Sequence, residues 1–223
     1  MKKILIALCA FVISFSPASA EKGINIGLSG QLGLFAATAS ETDTGTHGTT
    51  TGGDEGQKDS DFIGLGYSSM FIEKELGRIA IGVEYVPTSL ATETSQRVVL
   101  DKTASATAAS VTNNVQVDFD DLTTFYVALN VTDNMYVKAG MMTVDVITNE
   151  SLGTGSTYKN TDLDGTALGV GYHRESDNGL FVRVEGNYMD FDGASLTSSS
   201  GSQKISLDSL HGISGKIAVG KAF

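Results

Sequence analysis

Five charged residues, Glu84, Lys138, Arg183, Glu185 and Lys216, fall on the same face of strands written in period-2 runs. Two acids and three bases enclosed in a narrow space nearly neutralise one another, whereas an isolated buried ion costs several kcal/mol. Their chemistry is electrostatic cross-linking. Two acidic pairs offer another chemistry. Asp162-Leu163-Asp164-Gly165 and Asp190-Phe191-Asp192-Gly193 place carboxylates two apart ahead of Gly. That spacing suits oxygen ligation of Ca²⁺ or Mg²⁺, and it equally suits an Asp-Gly turn. Neither is a full calcium loop, so no metal and no cofactor is assigned. Three histidines remain, His47, His173 and His211. His211 lies near Asp208 and Ser209, but adjacent strand residues point to opposite faces. The sequence therefore points to a protein that is not an enzyme.

The elements that carry these residues are strands. Eight segments alternate at the strand period: 24–37, 62–74, 79–86, 115–130, 135–146, 165–173, 180–189 and 204–223. Short connections, 75–78, 131–134 and 174–179, alternate with long ones rich in Thr, Ser, Gly and Asp. Tight turns at one end and long loops at the other are the habit of a membrane barrel. The second long loop contains Arg97-Val98-Val99-Leu100, and a hairpin inserted there would widen the ring to ten.

Charge placement decides which face is wet. A soluble barrel keeps charges outside, and a membrane barrel inverts this. The charge-bearing face here also carries Gly64, Gly66, Gly82, Gly140, Gly169, Gly171, Gly212 and Gly220. Small residues fit a narrow lumen and gain nothing on an exposed face. The Ile/Val/Leu face is therefore expected to meet lipid. Tyr67, Tyr85, Phe125, Tyr172, Tyr188 and Phe223 lie on it as an aromatic girdle.

The N-terminus reads as a secretory signal. Lys2 and Lys3 precede an apolar run, and Ala18-Ser19-Ala20 is a small-x-small cleavage site. Residues 1–20 are assigned to the signal and 21–223 to one barrel domain. Without the signal the chain has 13 Lys and Arg against 26 Asp and Glu, and it loses Cys9, its one cysteine. A strongly acidic chain is repelled by nucleic acid. No run of 18 apolar residues follows the signal, so a membrane helix is not expected.

The signal, the strand count, the loop alternation and the terminal Gly220-Lys221-Ala222-Phe223 resemble the small OmpA-type barrels of the outer membrane protein beta-barrel group. The resemblance spans residues 21–223. It implies an all-β, eight-stranded antiparallel up-and-down transmembrane β-barrel in the bacterial outer membrane. It further implies lumenal acids and bases on the third, fifth, seventh and eighth strands, which Glu84, Lys138, Glu185 and Lys216 match. It implies recognition by the barrel-assembly machinery through the strand ending in Phe223, where Lys221 departs from the usual apolar residue. Outer membrane lipids and lipopolysaccharide are the expected partners. The expected role is structural or surface interaction. Two other readings stay open: a small porin or channel for solutes, and a soluble barrel that binds an apolar ligand.

Overall fold

The computed structural model describes residues 23–43, 57–102, 108–152, 155–199 and 203–223. The expected signal and His47 lie outside them. Eleven strands form one antiparallel sheet. They are β1 (Ile24–Asp43), β2 (Gln57–Leu76), β3 (Ile79–Tyr85), β4 (Leu90–Ala91), β5 (Ser95–Lys102), β6 (Ala108–Asn130), β7 (Met135–Ser151), β8 (Thr161–Glu175), β9 (Leu180–Phe191), β10 (Ala194–Thr197) and β11 (Gln203–Ala222). Eight of them, β1-β2-β3-β6-β7-β8-β9-β11, close into a ring because β1 also pairs with β11. The backbone seals the joint: Phe223 N–H donates to the Ile24 carbonyl at 2.9 Å, and Gly23 N–H donates to the Phe223 carbonyl at 2.7 Å.

The register fixes the shape. The paired row Ile26, Ile72, Val83, Phe125, Met141, Thr166, Asp190, His211, Ala36 circles the ring and returns to β1 ten residues above its start. Eight strands with that offset tilt by about 40° and enclose a backbone radius of about 8 Å. Such a bore is filled by side chains.

The turns fall where the sequence placed them. Gly77 and Gly179 hold φ of 70° and 84°, which an L side chain adopts only with strain. The second long loop does form a hairpin, since β5 pairs with the upper part of β6. Among the described residues it pairs with nothing else, so the ring stays at eight.

Outward polarity changes once along the strands. On β7 the outward series runs Met135, Val137, Ala139, Met141, then Thr143 and Asp145. The inward series runs Tyr136, Lys138, Gly140, then Met142, Val144 and Val146. β8 repeats this, with Tyr172, Val170 and Leu168 giving way outside to Thr166, Asp164 and Asp162, while Leu163 lies inside. The turn-side half is thus apolar outside and polar inside. The loop-side half is polar outside, with an apolar core of Phe35, Val86, Leu122, Val144, Leu163 and Phe191.

This change of sense corrects the reading of β2. Ile63, Leu65, Tyr67 and Phe71 face inward, and Gly64, Gly66, Ser68 and Met70 face outward. Most of these inward residues lie in the half whose interior is apolar, so their greasy side is the core side. Tyr67 is therefore no girdle residue. It is buried, and its hydroxyl lies 3.9 Å from the Met189 sulfur. Gly64 and Gly66 do not line the lumen. Between Ile63 and Ser69, β2 pairs with no strand on its β3 side among the described residues, because β3 ends at Tyr85.

Candidate functional site

The lumen of the turn-side half holds two stacked charge layers. The layer nearer the turns is built on Glu73 of β2, which is 1% exposed. Arg183 of β9 clasps it with both terminal nitrogens, and the Nη1 contact with Oε2 is 2.8 Å. Asn25 Nδ2 donates to Glu73 Oε1 at 2.7 Å, and the Tyr126 hydroxyl donates to Oε2 at 2.9 Å. The guanidinium sits among the rings of Phe181, Phe71 and Tyr136, with 4.6 Å to the first centroid. Planar stacking and a fork of donors suit Arg at this place rather than Lys.

The second layer joins β3, β7, β9 and β11. Lys216 Nζ lies 2.9 Å from Glu84 and 2.5 Å from Glu185. Lys138 Nζ lies 2.7 Å from Glu185 and 3.6 Å from Glu84. Glu84 Oε1 also accepts from Ser69 at 2.6 Å and from Gln31 at 2.7 Å. Glu185 Oε1 accepts from the Tyr136 hydroxyl. Every carboxylate in both layers is thus paired and hydrogen-bonded, the condition for keeping a buried ion.

All five charges picked from sequence meet here: Glu84, Lys138, Arg183, Glu185 and Lys216 are all buried. Sequence reasoning missed Glu73. With β2 read on the wrong face, Glu73 fell on the lipid side. Counted in, it brings the set to three acids and three bases, and the two layers together are neutral. The signal was present in the uneven balance of the five, which asked for one more carboxylate.

Lumenal glycines make room for the rings. A Cβ on Gly82 would lie 2.6 Å from the Tyr126 hydroxyl oxygen, so a larger residue there would push that donor off Glu73. On the outer face Tyr172, Tyr188 and Phe223 are exposed, and Tyr85 and Phe125 are half-buried. The Tyr85 hydroxyl donates to Asp121 Oδ1 at 2.5 Å.

The other candidates come apart. Asp162-Leu163-Asp164-Gly165 is no turn but runs inside β8, with Asp162 directly opposite Asp145. Asp190 lies on β9, while Asp192 and Gly193 link β9 to β10. Among the described residues no group of three His, Cys, Asp or Glu could hold a metal ion. His211 faces outward, with Nδ1 2.8 Å from Asp190 Oδ1 and 3.3 Å from the Tyr188 hydroxyl. His173 faces inward and accepts from Arg183.

A closed antiparallel ring with a charged lumen and an apolar outer band defines an up-and-down β-barrel of the outer membrane type. No protein-family model and no curated protein matches the chain. Solved structures do. The outer membrane protease OmpT from Escherichia coli is 10% identical, with a TM-score of 0.51 over 94% of this chain and 99% of that one. The outer membrane protein OprG from Pseudomonas aeruginosa is 13% identical, with a TM-score of 0.49 over 89% and 96%. Ail, the attachment invasion locus protein of Yersinia pestis, is 9% identical, with a TM-score of 0.38 over 88% and 99%. At 10% identity the likeness to OmpT is one of fold alone.

Proposed function

We propose that this chain is a transmembrane barrel of the bacterial outer membrane with a structural or surface-contact role and no enzymatic activity. The observation that carries the reading is the sealed lumen. Two neutral layers of ion pairs cross the bore, and an apolar core fills the half beyond them. A solute path would have to break buried, fully paired ions at both layers. That argues for a wall-and-loop protein over a porin. The exposed Leu28, Val137, Val184 and Ile217 are suited to acyl chains, and the polar belt above them to the headgroups of lipopolysaccharide. The outward face of β11 carries exposed Ile217 and Val219 and leads into exposed Phe223, and would be what the barrel-assembly machinery reads. Charge balance makes nucleic acid a poor partner.

The test has two arms. Heat-modifiable gel mobility of the washed membrane fraction is expected, because a closed barrel resists detergent until heated. Recovery from the periplasm without detergent would refute the membrane reading. In planar bilayers the purified chain is expected to give no steady conductance. Long-lived, solute-selective steps would instead establish the channel reading.

A further inference from the structure

The turn-side mouth of the lumen opens into a cavity of about 250 Å³ whose inner wall includes the Arg183–Glu73 pair. His173 lines the same cavity and lies directly opposite Arg183 in the β8–β9 register. Its ring stacks on Phe181, with centroids 5.1 Å apart and planes at 28°. Its Nδ1 lies 3.0 Å from Arg183 Nε, with the guanidinium as donor. Arginine keeps its protons throughout the physiological range. Nδ1 must therefore offer a lone pair, so the ring is neutral with its proton on Nε2. Nε2 in turn lies 3.9 Å from a Glu175 carboxylate oxygen. The charged and titratable groups around the ring are Arg183 from β9, Glu73 and Glu75 from β2, Asp133 from the β6–β7 turn, Tyr136 from β7 and Glu175 on its own strand.

We infer that His173 is a proton-operated latch on the turn-side charge layer. In the neutral state the guanidinium is held on every side. Its terminal nitrogens clasp Glu73, and its Nε–H is received by His173. Uptake of one proton from water in the cavity fills the Nδ1 lone pair and sets two cations against each other. The ring then leaves Arg183 and turns toward the acids that line the cavity, Glu175 and Asp133. An imidazole ordinarily titrates at about pH 6.5. The latch is engaged at neutral pH and released in acid, so the stability it adds is present at neutral pH and is lost as the pH falls below that ordinary value. The barrel thereby senses acidity in the compartment on its turn side, and the response is loosening of the layer that seals that end.

The whole chain, refolded in lipid vesicles, provides the test. The heat-conversion midpoint is measured on gels at pH 7.5 and 5.0 for the native protein and for His173→Asn. The asparagine amide oxygen stands near the place of Nδ1, accepts from Arg183, and does not titrate. The native protein is expected to lose roughly 3–6 °C more than the variant on acidification. Equal losses in the two proteins overturn the latch, because His211, His47 and all carboxylates are common to both. A second measurement needs no variant. Nitrogen-15 spectra of the native protein should show His173 Nδ1 unprotonated at pH 7.5 and protonated in acid. A proton on Nδ1 at pH 7.5 also overturns it.

Discussion

Replacing Arg183 by Met tests whether the turn-side layer is a true ion pair. Side chains of Arg183 and Glu73 are 7% and 1% exposed, so loss of either partner leaves the other a buried, uncompensated charge. In Arg183→Met, Glu73 keeps its bonds from Asn25 and Tyr126 but loses its counter-charge. The expected loss is about 3–5 kcal/mol. Glu73→Gln leaves the guanidinium without a carboxylate among three aromatic rings and should lose a similar amount. The double variant has no unpaired ion, and a buried pair exchanged for neutral groups is often close to neutral in stability. It should lose only about 1 kcal/mol, a coupling of several kcal/mol between the two positions. The assay is equilibrium urea unfolding in vesicles. The chain has no Trp, so circular dichroism and gel mobility report the transition. Losses that add to within about 0.5 kcal/mol in the double variant would refute the reasoning.

Three further outcomes are expected. Lys216→Met should destabilise more than Lys138→Ala, because Lys216 lies within 2.9 Å of both Glu84 and Glu185 while Lys138 is 3.6 Å from Glu84. Lys138→Ala should itself lose about 2–4 kcal/mol, and unchanged unfolding of either variant would count against the four-charge layer. Burial and the neighbouring Asp162, Asp121 and Asp120 push the Asp145 carboxyl up from its ordinary range, at a site on the polar loop-side wall. The folded state therefore holds the Asp145 proton more tightly, and its contribution to stability falls as pH rises. Asp145→Asn should raise the heat-conversion midpoint at pH 7 and leave it unchanged at pH 3, and the reverse order would exclude this cause. Backbone amides of β2 between Ile63 and Ser69 should exchange with deuterium faster as a group than those from Met70 to Leu76, where β3 supplies a second strand. Equal protection would mean that the free edge is covered.

The alternation that made β1, β7, β8, β9 and β11 legible is strong where a strand lies mostly in one zone. Leu28, Val137, Val184 and Ile217 all face outward as their pattern demanded. β2 defeated the same logic for a physical reason. It is 20 residues long and crosses the level where the barrel changes from apolar outside to apolar inside. Its greasy residues in the upper half and its small residues opposite them therefore give the reversed parity. One error of parity removed Glu73 from the lumen and put Tyr67 in the girdle. Lumenal charges on four different strands were readable because each alternates with apolar or small outward residues, as Arg183 and Glu185 do with Val182 and Val184. Which acid met which base was not, since that depends on the ten-residue offset around the ring, a quantity no single strand carries.

The seam between β1 and β11 has a consequence for how such a molecule comes into being. The first and last strands of the ring are neighbours, so the wall cannot be finished until distant ends of the polypeptide meet. Contacts of that span make for slow, all-or-none folding. Until the joint zips, two long ribbons of unsatisfied amides would stand bare beside a greasy exterior, an invitation to clump in water. For the outer membrane barrel proposed above, export would have to deliver the polypeptide unfolded and guarded, with insertion and closure coinciding.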